Sequence, residues 1–116
     1  MWFTTRVRVV FAEEPERGLA GVRAVLFDRD ESSADDPLGE AVTDRDGWAQ
    51  FLFHADQFTD AEDPGAFLLS GLPDLYVVLY DQAGRAVFSS RQAFRKDAVP
   101  REFGVAAPRA LLEQLG

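Results

Sequence analysis

Between Phe3 and Val105 the apolar residues fall in short runs separated by Asp, Gly and Pro, and none of these runs keeps helical spacing. That pattern excludes a helical bundle and an α/β layer, and leaves a β-sandwich or barrel. The clearest run is residues 3–11. Phe3, Thr5, Val7, Val9 and Phe11 alternate with Thr4, Arg6 and Arg8, as in a strand with one buried face. Glu13 to Gly18 supplies turn chemistry, and Val22-Arg23-Ala24-Val25-Leu26-Phe27 resumes a strand, so the first two strands read as a hairpin-like pair.

The stretch from Asp28 to Pro37 is rich in side chains that bond their own backbone, and its proline resists helix, so it reads as a loop. Leu38 to Thr43 is a short strand. Asp44-Arg45-Asp46-Gly47 is a hairpin signal, because the Asp-Gly step favours turns with positive φ, and Trp48 to Phe53 follows as the fourth strand. Residues 54–73 form a connection of about twenty residues, long for a compact domain and therefore a candidate for function. Leu75-Tyr76-Val77-Val78-Leu79-Tyr80 is apolar on both faces, the mark of a central strand. Asp81 to Gly84 turns it into Arg85-Ala86-Val87-Phe88, and Glu102 to Val105 makes a seventh strand. Pro108 to Leu115 reads as one or two terminal helical turns, with proline well placed at the start. The expectation is a single domain over residues 1–116: an all-β, seven-stranded antiparallel β-sandwich with a short C-terminal helical segment.

The chain can supply a core of that size. Of its 116 residues 47% are apolar and ten are Phe, enough for one core without disulfide or metal staples. The absence of cysteine removes disulfide, zinc-ribbon and thiol chemistry. A net charge of −8 opposes binding to phosphate backbones and anionic lipids, so neither nucleic acid nor membrane is expected as a partner. The first residues lack a basic region followed by a long apolar stretch, which points to a cytoplasmic protein or one exported without a cleaved signal peptide.

Gly18-Leu19-Ala20-Gly21-Val22-Arg23-Ala24-Val25-Leu26-Phe27-Asp28 is followed by Thr43-Asp44-Arg45-Asp46-Gly47 before an aromatic-rich strand, and then by Pro73-Asp74-Leu75-Tyr76-Val77-Val78-Leu79-Tyr80-Asp81-Gln82-Ala83-Gly84. In that order these segments resemble the transthyretin-like and carboxypeptidase-regulatory-like modules, over roughly residues 4–105. The resemblance implies a prealbumin-like sandwich. It does not imply one function, since such modules serve as folding aids or adaptors. The enzymes of this fold, the hydroxyisourate hydrolases, need His and Arg residues and a Tyr-Arg-Gly-Ser tail. Here the one histidine is His54 and the chain ends Glu113-Gln114-Leu115-Gly116, so that activity is not carried over.

Two constellations remain. Asp28, Asp30, Asp35 and Asp36, with Asp44 and Asp46 expected at the same end of the sandwich, offer hard oxygen ligands of the kind calcium takes from loops. The phrase Asp28-Arg29-Asp30 … Asp35-Asp36-Pro37-Leu38-Gly39 also resembles the third calcium loop of C2 domains, which makes a calcium-dependent C2-like module the alternative reading. The plainer one is a solvated acidic loop built on Asx turns, with no cofactor. Second, Phe67, Leu69, Leu112 and Leu115 are apolar groups outside the strand pattern, which must either cover the sandwich or offer surface to a partner. No catalytic set is evident, because His54 has no second His and Ser32-Ser33 and Ser89-Ser90 lack a nucleophile-elbow context. The function expected is that of a non-catalytic adaptor that docks another protein. Homo-oligomerisation is left open.

Overall fold

The computed structural model describes residues 1–31, 33–58, 72–96 and 98–115. It is mostly β, and the described residues form eight strands in two four-stranded sheets: β1 (Trp2–Phe11), β2 (Glu14–Gly18), β3 (Arg23–Asp28), β4 (Asp36–Val42), β5 (Trp48–His54), β6 (Leu75–Tyr80), β7 (Ala86–Ser89) and β8 (Glu102–Ala107). In the first sheet β1 is flanked by β5 and β2 and by β8, and the second runs β4-β3-β6-β7. A 3₁₀ turn (Arg109–Leu111) and one short helix, α1 (Leu112–Leu115), close the described chain. No helix among the described residues is long and apolar enough to cross a membrane.

The period-two reading holds at residue level. Val7, Val9 and Phe11 of β1, Phe51 and Phe53 of β5, and Phe103, Val105 and Ala107 of β8 meet Ala24, Leu26, Leu38, Leu75, Val77 and Leu79 of the other sheet in one shared core. The strand β6 is apolar on both faces, as the sequence suggests. Leu75, Val77 and Leu79 point into that core, while Tyr76 and Val78 lie outside it yet are also buried. The ring of Phe27 stacks on Tyr76 at 5.4 Å, and the Arg23 guanidinium stands 4.8 Å over Tyr80.

Three expectations are corrected. The strand count is eight, because Glu14-Pro15-Glu16-Arg17-Gly18 doubles back on the end of β1 with Phe11 opposite Glu14 and Val10 opposite Gly18. None of its residues is fully buried, so it carries no apolar alternation to detect, and its proline is tolerated because the strand is an edge. The sandwich is not wholly antiparallel, since β8 lies parallel to β1 from Arg6 opposite Glu102 to Phe11 opposite Ala107. Finally, β1 and β3 are not a hairpin pair but lie in different sheets, β3 pairing with β4 and β6.

One tight crossing locks the end of β1, the end of β2 and the β4–β5 turn together. The Val9 amide donates to the Gly47 carbonyl at 2.8 Å and the Leu19 amide to the Val9 carbonyl at 2.8 Å. Gly47 has φ +87°, and a Cβ there would lie 2.3 Å from the Val9 carbonyl oxygen and 2.8 Å from the Gly18 Cα. Only glycine satisfies both the positive φ and that approach.

Candidate functional site

The acidic loop joins β3 to β4, with Asp28 and Asp36 opposite each other in register at its base. Asp35 is held by groups from the far side of its sheet. Its Oδ2 accepts from Arg91 Nε at 2.7 Å and from the Tyr76 hydroxyl, and its Oδ1 accepts from Arg91 Nη2 at 3.3 Å and from the Asp30 amide at 2.9 Å. The Arg91 guanidinium hydrogen bond is the main reason that the Asp35 carboxyl sits well below the usual carboxylate range. Burial, together with the neighbouring Asp35 carboxylate, pushes the Tyr76 phenol up to about 12.

Asp30 turns inward on its own loop, accepting from the Ser33 hydroxyl at 2.7 Å and the Ser33 amide at 3.2 Å. Asp28 differs from the rest. Burial pushes its carboxyl up to about 6, opposed by the Asp74 amide that donates to it at 2.9 Å and reinforced by the charges of Asp36, Asp74 and Asp30. The Arg29 amide donates to the Asp74 carbonyl at 2.8 Å, and the Arg29 guanidinium stands 4.6 Å over Phe94. These contacts staple the loop to the residues preceding β6 and following β7.

Asp44 and Asp46, expected beside this cluster, belong to the other end of the molecule, because β4 runs its whole length between them and Asp36. Asp44 builds the turn, accepting from the amides of Asp46 at 2.8 Å and Trp48 at 3.0 Å. Of the carboxylates singled out in the sequence, Asp28, Asp30, Asp35 and Asp36 share one end. Among the described residues, no three or more His, Asp or Glu side chains stand so as to hold a metal ion.

The opposite end carries the C-terminal leucines. Leu111 is buried in the core, Leu115 packs partly against it, and Leu112 is 42% exposed. Leu112 stands between two surface depressions. One, of about 450 Å³, is lined by Leu19, Val22, Val42, Tyr80 and Leu115, and the other, of about 470 Å³, by Phe11, Arg17, Arg45 and Asp46. Val42, on the rim, is 63% exposed. Phe67 and Leu69 lie outside the described residues. Sequence reasoning missed Val42, which it placed simply within a strand, and Arg91, which it did not single out. No local signal links Arg91 to Asp35, since 56 residues separate them.

No family model matches the chain, and no curated protein matches it significantly. Among solved structures it is similar to part of a 9R-lipoxygenase from Cyanothece PCC8801, at 18% identity and a TM-score of 0.56. The match covers 92% of this chain and 16% of that one, and at this identity it bears on the fold alone.

Proposed function

We propose that this chain is a non-catalytic docking module of the transthyretin-like class, which binds another protein through the end of the sandwich formed by α1, the β2–β3 connection and the β4–β5 turn. The observation that carries the reading is Leu112. The four-residue helix follows the buried Leu111 and ends on the half-buried Leu115, so it is anchored, yet it presents Leu112 to solvent beside a mainly apolar depression that the exposed Val42 of β4 also lines. Clustered exposed apolar groups of this kind mark interaction surfaces.

The residues behind the transthyretin-like resemblance have architectural roles that support assignment to that class. The Thr43 hydroxyl, buried, accepts from the Val22 amide at 2.9 Å. Asp44 caps its turn, and Asp81 accepts from the amides of Ala83 and Arg85, both at 2.9 Å. Such side-chain-to-backbone bonds are what the tight connections of a sandwich use, and they fall at the positions on which the resemblance rests.

The test compares affinity capture by the wild-type protein, Leu112→Ser with Val42→Ser, and Leu52→Ser, each with its melting curve. Leu52 is 62% exposed on the outer face of β5 and serves as the control. A partner lost by the first variant and kept by the second is expected. Identical capture by all three, with melting unchanged, would remove the surface.

A further inference from the structure

The two sheets do not close on each other along one side. There β8 is the edge of the first sheet and β7 the edge of the second. Between them runs a depression of about 250 Å³ lined by Phe88, Ser89, Ala93, Phe103 and Val105.

The β8 edge is laid out to pair. The Arg6 amide donates to the Arg101 carbonyl at 3.0 Å and the Ala12 amide to the Ala107 carbonyl at 2.9 Å, so the odd-numbered residues of β8 direct their main-chain groups to β1. The alternate N–H and C=O groups, those of Glu102, Gly104 and Ala106, are therefore directed to the free edge. Among the described residues none of them has a main-chain partner on that side. Three of the other edges are blunted in the ways proteins use against unwanted pairing: β4 carries Pro37 and a bulge, β2 is short and contains Pro15, and β7 has four residues and a bulge. The remaining edge, β5, has neither proline nor bulge, but it runs beside β4 of the other sheet. From Phe103 to Ala107, β8 has no proline, charge or bulge.

Charge indicates what kind of segment would fit. Residues 91–101 hold four cations, Arg91, Arg95, Lys96 and Arg101, against one acid, Asp97, in a chain whose net charge is −8. Arg91 is committed to Asp35. Arg95, Lys96 and Arg101 are exposed and form no ion pair among the described residues, and the Arg95 guanidinium stands 5.9 Å from the Phe103 ring, at the start of β8.

From this edge, groove and charge we infer that β8 binds an extended segment of a partner protein by strand addition, antiparallel to β8. The segment's alternate apolar side chains enter the groove over Phe88, Phe103 and Val105, and acidic residues at its C-terminal end meet Arg95, Lys96 and Arg101. Main-chain pairing supplies the affinity in this mode, and the groove and cations supply selectivity. The surface is separate from the Leu112 end, and it goes beyond the docking function proposed there.

The test uses the whole protein and synthetic ten-residue peptides of alternating valine and threonine ending in Glu-Glu or in Lys-Lys, followed by nuclear magnetic resonance. The Glu-Glu peptide is expected to shift and protect the amides of Glu102, Gly104 and Ala106. The Lys-Lys peptide, and the protein variant Arg95→Glu with Arg101→Glu, are each expected to weaken binding about tenfold. Methylating the alternate peptide amides that face β8 is expected to abolish it. Gly104→Pro removes one edge N–H and is expected to do the same. Should that variant fail to fold, the methylated peptide still decides. Absence of binding by either peptide, equal binding of the methylated peptide, or protection confined to the Leu112 end would overturn the inference. So would a dimer of the free protein that Glu-Glu peptide cannot dissociate and that buries the same three amides, which would make a second copy the occupant.

Discussion

Arg91 donates from Nε to Asp35 at 2.7 Å across 56 residues of sequence, joining the segment after β7 to the loop between β3 and β4. With Tyr76 and the Asp30 amide on the same carboxylate, Asp35 already has four protein donors. Millimolar calcium is therefore expected to move the melting temperature no more than sodium chloride of equal ionic strength. A site with an affinity a hundredfold tighter than the added calcium would stabilise the fold by about 2.7 kcal/mol. A calcium-specific rise that disappears in Asp30→Asn with Asp35→Asn would show instead that the loop takes the ion.

Asp28 should make the protein less stable at neutral pH than its packing allows. Its folded pKa of about 6 lies above the ordinary 3.8, so its contribution is fully present below the lower value and is lost as pH rises through the upper one. Asp28→Asn keeps an acceptor for the Asp74 amide and removes the charge. It is expected to raise stability at pH 8 by on the order of 1–2 kcal/mol, after discounting for partial exposure, with no gain at pH 4. Asp35 acts with the opposite sign, since its lowered pKa supports the fold above the ordinary carboxylate range and that support fades in acid. Urea titrations at both pH values, with Asp28→Asn and Asp35→Asn side by side, separate the two.

Gly47 and Gly84 both have positive φ, +87° and +83°, but their surroundings differ. A Cβ on Gly84 meets nothing within 4 Å, so Gly84→Ala bears only the backbone strain, about 1–2 kcal/mol. At Gly47 the same atom collides with the Val9 carbonyl and Gly18. Gly47→Ala is expected to be the more destabilising by at least about 1 kcal/mol in denaturant unfolding. Equal losses would mean that the crossing relaxes freely.

Phe53 is fully buried between the sheets while its neighbour Leu52 is 62% exposed. Phe53→Ala is expected to lose about 3–5 kcal/mol, and Leu52→Ala to stay within about 0.5 kcal/mol of wild type. Comparable losses from both would indicate that the outer face of β5 is covered in solution.

Alternation along the chain was sufficient to mark which residues of β1 face the core, because burial of one strand face is a local property with period two. The turns were legible for the same reason. Asp44, Gly47, Asp81 and Gly84 act on their own backbone within four residues. The strand β2 was not legible, since a solvated edge held by main-chain bonds leaves no apolar trace. The sequence also does not determine which strands lie side by side. A period-two pattern is the same whether β8 pairs with β1 or with another strand, and whether it does so parallel or antiparallel. That choice rests on how two sheets share one core, and it brings Glu102 to Arg6 over 96 residues and leaves the β8 edge open. The acidic loop shows the same division. Its residues and its Asx turns can be read in order, but Arg91 and Tyr76 reach Asp35 only because β3, β6 and β7 are neighbours in one sheet, and an electrostatic partner is chosen by distance in space rather than along the chain.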